Sequence, residues 1–205
     1  MKNYYDYWNT KQKYSGTSWQ LGMSEKWNDR PLSPDAVWIE PLLSKYDIKT
    51  VSDVACGTGR MFPLWHKHGL TGAVIEWSDV LYPPMSKNAE SYGLTPYKLD
   101  LTMETTEQAF DLVFATQFLL HIRPRDIRLV FENLIEMSKG LIAVCAWYDP
   151  EKVCIDDKAD YDSTHNWSHP YYALFNEFGL EVLLDDTLKF ADGSTNKAWL
   201  LELSV

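Results

Sequence analysis

Residues 51–60, VSDVACGTGR, place small residues and an acid at the point where a buried strand should give way to a helix. Gly57 and Gly59 let the backbone turn tightly and approach a ligand closely, because a β-carbon at either position would collide with it. The helix that follows presents free backbone N–H groups to the same space. The segment therefore predicts a ligand crevice at the carboxyl end of the first strand of an α/β sheet.

Two common nucleotide-binding patterns do not fit this loop. A dinucleotide fingerprint that starts at Ala55 needs a third glycine where Arg60 stands, and one that starts at Gly57 needs it at Phe62. A P-loop needs Gly-Lys-Ser/Thr, which does not follow here. Arg60 itself has two readings, since it either meets a ligand carboxylate or lies exposed on the helix.

Two more acids end predicted strands. Glu76 closes GAVIE at close to the ~20-residue spacing from Asp53 that is expected of a ribose-binding acid. Its two carboxylate oxygens suit a vicinal diol. Asp100 closes TPYKLD, and an ionised Asp only accepts hydrogen bonds, which matches an amino donor. Either acid alone also fits a surface position at a strand end, whereas the ordered series favours a nucleoside site.

The pattern D-x-A-C-G-x-G at 53–59, followed by the two further acids, resembles the motifs of class I S-adenosylmethionine-dependent methyltransferases, with Ala55 in place of a glycine. The resemblance covers roughly residues 35–205 as one cofactor-binding domain. It implies a Rossmann-like three-layer sandwich with a mostly parallel seven-stranded sheet and an antiparallel last strand. Residues 1–34 resemble the variable N-terminal helical cap or lid of small-molecule methyltransferases.

The resemblance also assigns roles around S-adenosyl-L-methionine. It implies that Asp53 supports the loop near the methionine end, that Glu76 binds the ribose, and that Trp77 and Asp100 contact adenine. The loop after the fourth strand should line the sulfonium end. The full set of cofactor residues is Asp53, Ala55, Cys56, Gly57, Thr58, Gly59, Glu76, Trp77, Asp100, Leu101, Thr116, Gln117 and Phe118.

The rest of the chain predicts the elements that position this set. Apolar runs at 50–55, 72–76, 95–100, 110–115 and 140–147 alternate with helical stretches near 59–68, 79–92 and 124–138, which is typical of β-α-β units. An earlier helix should begin at Ser33-Pro34, with Ser33 as its cap, and a short one is expected at 3–13. A helix at 169–178 precedes two strands with no helix between them, which must be antiparallel.

Methyl transfer is a displacement in which the protein mainly positions the acceptor, and a base is needed only if the acceptor arrives protonated. His121 is the candidate base, because the family often has a histidine after the fourth strand; the alternative is that it orients the turn before Arg123. Candidate substrate contacts are Tyr4, Trp8, Trp19, Tyr148, His165 and His169. The alternatives are that the aromatic residues pin the N-terminal segment to the core and that the histidines cap or pack the next helix. Two histidines without a clear third ligand do not predict a metal site.

Composition narrows the partners. A net charge of −10 disfavours a nucleic-acid-binding surface. Three cysteines without a C-x-x-C pair and the lack of a long apolar run favour a reduced, cytoplasmic protein without a membrane segment. The favoured function is methyl transfer to an O or N atom of a small molecule. A protein or RNA methyltransferase and a non-catalytic cofactor-binding module remain as alternatives, and the oligomeric state is not indicated.

Overall fold

The computed structural model describes residues 33–155, 166–190 and 193–204. Within these residues, helices and strands alternate as far as the third strand, and the fourth strand follows it with no α-helix between them. One α-helix then leads to the fifth strand, after which one further α-helix and two strands follow. The elements are α1 (Pro34–Lys45), β1 (Thr50–Val54), α2 (Phe62–Lys67), β2 (Thr71–Ile75), α3 (Tyr82–Ser91), β3 (Thr95–Tyr97), β4 (Phe110–Thr116), α4 (Ile127–Glu136), β5 (Ser138–Ala146), α5 (Tyr171–Glu177), β6 (Leu180–Lys189) and β7 (Thr195–Leu203).

The seven strands form one sheet in the order β3-β2-β1-β4-β5-β7-β6. The pairs from β3 to β5 are parallel, and β7 runs antiparallel to both β5 and β6. The predicted mostly parallel sheet with an antiparallel last strand is therefore confirmed. β3 is shorter than predicted, because the chain leaves the sheet after Tyr97 and Asp100 lies in the loop beyond it.

Two apolar cores, one on each face of the sheet, give the predicted three layers. Alternate residues of β5 divide between them: Ile142 and Val144 lie in the core with α4 and α5, whereas Ala143 and Cys145 lie in the core with α1, α2 and α3. This alternation follows from the period of two along a strand. Because both faces are covered, β2, β4 and β5 contain the continuous buried apolar runs 73–75, 112–115 and 141–146.

α1 begins as the sequence predicts, with Pro34 in its first turn, but Ser33 does not act as a side-chain cap. The Ser33 hydroxyl instead accepts a hydrogen bond of 2.9 Å from the Arg60 guanidinium. Pro41 stands inside the helix, which continues past it to Lys45. The predicted helix at 3–13 and almost all of the predicted cap at 1–34 lie outside the described residues. Among the described helices, none has both the length and the apolar character needed to cross a bilayer.

Gly72 is required by the parallel pairing of β1 and β2. Its φ is +146°, and a β-carbon there would lie 1.9 Å from the carbonyl oxygen of Val51, its partner in the register. We expect Gly72→Ala to lower the free energy of unfolding by at least about 2 kcal/mol, because backbone strain and a backbone clash combine.

Chemical denaturation measures this loss, and Gly140→Ala is the matched control. A β-carbon at Gly140 would meet nothing within 4 Å. Gly140→Ala should leave the stability unchanged or raise it by less than about 1 kcal/mol. Equal stabilities for the two variants would contradict the proposed clash.

Candidate functional site

The carboxyl ends of β1, β2, β3 and β4 meet at one edge of the sheet. β1 pairs with β2 on one side and with β4 on the other, so strand order reverses at β1. Hydrogen bonding continues just past the ends of β1 and β2, with Cys56 N–H donating to the Ile75 carbonyl and Glu76 N–H to the Tyr97 carbonyl, both at 3.1 Å. These bonds fix the relative positions of the loops that follow. The reversal of strand order is the position at which open α/β sheets bind ligands.

An open cleft of about 360 Å³, part of it continuous with solvent, lies at this edge. Five of the predicted cofactor residues line it: Ala55, Trp77, Asp100, Leu101 and Phe118. The structure therefore brings together residues from the loops after β1, β2, β3 and β4.

The same cleft contains residues that the sequence analysis missed, namely Val54, Ile75, Leu99, Thr102 and Ile122. Apolar residues at strand ends read as core in a sequence, because nothing in their pattern shows which of them faces a cavity. Of these residues, only Leu99 and Thr102 could have been found from the sequence, because they are neighbours of the predicted cofactor residues Asp100 and Leu101.

Glu76 joins two of the loops. Its Oε2 accepts a hydrogen bond from Gly57 N–H at 3.1 Å and its Oε1 accepts one from Ser78 N–H at 2.8 Å. The side chain is buried, and this burial raises the pKa of Glu76 to about 7 in spite of the backbone hydrogen bonds that favour ionisation. The backbone N–H groups of Ser78, Gly57 and Trp77 favour the ionised form, and burial outweighs them.

Asp53 lies behind the loop, against α2. Its Oδ2 accepts a hydrogen bond of 2.9 Å from the indole N–H of Trp65, whose ring packs edge-on against Phe114 at 5.1 Å between centroids. Burial raises the pKa of Asp53 to about 7, although the Trp65 hydrogen bond and the Arg60 charge oppose the shift. The contact ties α2 to β1, and the predicted support of a cofactor stays a prediction.

The glycine loop, residues 55–60, is also shaped by α2, the helix that follows it. A β-carbon at Gly59, where φ is +94°, would lie 2.2 Å from the Phe62 ring. The carbonyl of Thr58 accepts a hydrogen bond of 2.9 Å from the Asn88 side chain on α3. By contrast, a β-carbon at Gly57 would meet nothing within 4 Å, so the space in front of this peptide is open.

Arg60 is partly buried, which contradicts the exposed position on the helix, whereas its contact with a ligand carboxylate stays a prediction. Its guanidinium binds both carboxylate oxygens of the fully buried Asp35, the first at 2.8 Å, and donates to the Thr116 hydroxyl at 2.8 Å. Burial raises the pKa of Asp35, but the charge and hydrogen bonds of Arg60, with those of Ser33 and Thr116, outweigh it and leave the pKa lowered. We call Ser33, Asp35, Arg60 and Thr116 the Arg60 network.

Asp100 closes its own turn at the mouth of the cleft. Its Oδ1 accepts hydrogen bonds from the Thr102 backbone N–H at 3.0 Å and from the Thr102 hydroxyl at 2.7 Å. This turn holds Asp100 and Leu101 beside Trp77, where the sequence placed a purine contact. That contact stays a prediction.

His121 is half-buried in a short 3-10 turn, Leu119–His121, between the cleft residues Phe118 and Ile122. His121 therefore belongs to the segment that forms this wall of the cleft, and its predicted catalytic role stays a prediction. Cys56, Cys145 and Cys154 form no disulfide bond. In residues 33–155, 166–190 and 193–204, no group of three or more His, Cys, Asp or Glu side chains could hold a metal ion.

His169 and Tyr148 lie in the aromatic core beyond this turn. The His169 ring is fully buried, with its Nε2 3.0 Å from the Leu119 carbonyl oxygen, and burial lowers the pKa of His169 to about 4. This contact agrees with the packing alternative for His169. The half-buried Tyr148 ring packs edge-on against Tyr171 and Tyr172. Four further predicted substrate contacts, Tyr4, Trp8, Trp19 and His165, lie outside the described residues.

Several solved methyltransferases have a similar structure. An N-methyltransferase from Bradyrhizobium japonicum, in complex with S-adenosyl-L-homocysteine, is 11% identical, with a TM-score of 0.71 over 99% of this chain and 100% of that chain. A 1,6-didemethyltoxoflavin-N1-methyltransferase from Burkholderia thailandensis is 12% identical, with a TM-score of 0.71 over 100% of this chain and 92% of that chain. The magnesium protoporphyrin IX methyltransferase of Synechocystis, with bound S-adenosylmethionine, is 10% identical, with a TM-score of 0.68 over 100% of this chain and 99% of that chain.

The chain has the class I methyltransferase fold. This confirms the fold predicted from the sequence. At the level of sequence, no family model and no curated protein matches the chain.

Burial of Glu76 in this methyltransferase fold should make stability depend on pH. The pKa of Glu76 is about 7 in the folded protein and 4.5 as the ordinary value, so the folded state binds the proton more tightly. The free energy of unfolding should therefore fall as pH rises from about 4.5 to about 7, by up to about 3 kcal/mol from this group, and then level off. In Glu76→Gln the slope over this window should be shallower.

Denaturation curves at a series of pH values measure this slope, and Asp111→Asn is the control. Although its partial burial raises the pKa of Asp111, hydrogen bonds from Lys139, Thr50 and Lys49 outweigh this and lower that pKa to about 2. Asp111 therefore contributes stability that is lost as pH falls from about 4 to about 2, and its replacement should change the slope only there. A Glu76→Gln curve parallel to that of the wild type between pH 4.5 and 7 would contradict the raised pKa.

Proposed function

We propose that the protein is an S-adenosyl-L-methionine-dependent methyltransferase that methylates an O or N atom of a small molecule. The observation that carries the proposal is the position of Glu76. A buried carboxylate with a raised pKa ties the glycine loop to the loop after β2, directly beside a cleft that Trp77 and Leu101 line. The two oxygens of this carboxylate can accept further hydrogen bonds from the vicinal hydroxyls of a free ribose.

The residues of the cleft fit this cofactor. Glu76 would accept hydrogen bonds from the ribose hydroxyls, and Trp77, Leu99 and Leu101 would pack on the adenine, with Asp100 facing its amino group. The open space in front of Gly57 lets the loop backbone approach the methionine part closely. Once bound, the cofactor supplies an electrophilic methyl group on a sulfonium, and the protein holds the acceptor in line with it.

The acceptor side is proposed from position. His121 lies in the turn between two residues of the cleft wall, and this position supports a role for its imidazole beside the proposed cofactor. We propose that it takes a proton from the acceptor when the acceptor arrives protonated, since an imidazole is matched to neutral pH.

A small molecule as acceptor is supported by the net charge of −10, which disfavours a phosphate backbone. The 1,6-didemethyltoxoflavin-N1-methyltransferase from Burkholderia thailandensis has the same fold. Its solved structure contains the small molecule 1,6-didemethyltoxoflavin together with S-adenosylhomocysteine.

Calorimetry with S-adenosylhomocysteine and with NAD tests the cofactor. We expect the first to bind and the second not to bind, because the Gly57–Gly59 loop lacks the third glycine of a dinucleotide site. Glu76→Gln should weaken S-adenosylhomocysteine at least about tenfold, since it replaces a charged acceptor by a neutral one. Glu132→Gln, on the exposed face of α4, is the matched control and should bind as the wild type does. Binding of NAD without S-adenosylhomocysteine would overturn the assignment.

Transfer of a labelled methyl group tests the acceptor class. The purified protein is incubated with labelled S-adenosyl-L-methionine and, separately, with mixed metabolites, proteins or RNA. Label should enter only the metabolite fraction, and Glu76→Gln at the same cofactor concentration should transfer less. Label in protein or RNA would refute the small-molecule acceptor while leaving the cofactor assignment intact.

A further inference from the structure

The Arg60 network joins three parts of the molecule that are distant in sequence. Ser33 and Asp35 stand at the start of α1, Arg60 ends the glycine loop, and Thr116 is the last residue of β4. The side chains of Ser33, Asp35 and Thr116 all accept hydrogen bonds from the Arg60 guanidinium. The Arg60 side chain is one-quarter exposed, and that of Asp35 is fully buried. A bidentate guanidinium–carboxylate pair of this kind has a fixed geometry, which a flexible ammonium group would not reproduce.

The residue that follows Thr116 is strained. Gln117 has a φ of +57°, a left-handed conformation that residues other than glycine rarely adopt. Its N–H donates to the Cys145 carbonyl at 2.7 Å, which holds it from the β5 side. Such strain persists only where the surroundings impose it, and the preceding residue, Thr116, is held by the hydrogen bond that its hydroxyl accepts from Arg60.

We propose that Arg60 is a positioning residue that acts through Thr116. It holds the end of β4 in its strained turn and at a fixed distance from the glycine loop, and thereby shapes the part of the site that takes the homocysteine end of the cofactor. The inference rests on the proposed function, because that function puts the sulfur end of the ligand between these two loops. The adenosine end depends instead on Glu76, Trp77 and Asp100, which lie in the loops after β2 and β3.

Thr116→Val tests this with little risk to folding, since valine has the same shape and suits a strand. It removes the hydroxyl and leaves the Arg60–Asp35 pair in place. Thr116→Ser, which keeps the hydroxyl, is the rescue variant, and Ser33→Ala removes another hydrogen bond to Arg60 without touching β4.

The first readout needs no ligand. Hydrogen exchange of the Gln117 amide should become at least about tenfold faster in Thr116→Val, whereas exchange of the Cys56 amide, which bonds Ile75 across β1 and β2, should not change. Thr116→Ser and Ser33→Ala should match the wild type at both amides. Unchanged exchange at Gln117, or an equal acceleration at Cys56, would overturn the proposal.

The second readout compares two ligands that share their adenosine part. Thr116→Val should weaken S-adenosylhomocysteine about tenfold and leave adenosine within about twofold, because a small displacement of the β4 end affects only the homocysteine part. Equal losses for both ligands would show a general packing role and refute the proposal. Failure of the wild type to bind S-adenosylhomocysteine would overturn the proposed function and this use of the network, while the exchange experiment would still report on the contact itself.

Discussion

β1 lies between β2 and β4 in the sheet. After β2 the chain leaves the sheet on one side, and after β4 it leaves on the other side. The space between the ends of these two strands is therefore not filled by backbone. The loops after β1, β2 and β4 therefore diverge at one edge, and a cleft results from the topology alone. Each feature of the site depends on this divergence. The glycine loop can face open space, and residues from separate β-α units can reach the same ligand.

Several acidic side chains around the glycine loop are buried. The carboxylates of Asp35, Asp53 and Glu76 are all buried beside the loop, and burial raises the pKa of Asp53 and of Glu76 to about 7. Buried charges cost stability unless they are paired and hydrogen-bonded. Only Asp35 has a full ionic partner, so Asp53 and Glu76 make this edge less stable than an apolar one. Shifted acids gathered at a cleft are typical of functional sites.

Backbone strain gathers at the same edge. Ala55 and Gln117, two of the three non-glycine residues with positive φ among the described residues, stand after β1 and β4. Ala55 has a φ of +51°, so it adopts the left-handed conformation for which the resembling pattern uses a glycine. The substitution at this position thus keeps the loop conformation and adds a methyl group, which lines the cleft. Rigid, strained turns on both sides of β1 suit a site whose geometry must be set before the ligand arrives.

By itself the sequence determined the order of strands and helices, because apolar periodicity and glycine breaks are local, and it located the loop at 53–59 and the acids Glu76 and Asp100 by their spacing along the chain. It could not determine what each side chain meets. Arg60 binds Asp35, His169 bonds the Leu119 carbonyl, and Leu99 and Ile122 line the cleft only because distant segments pack together. Contacts of this kind depend on how the β-α units pack on the sheet. Only the tertiary structure decides this packing, because the contacts are selected by burial and not by a local sequence pattern.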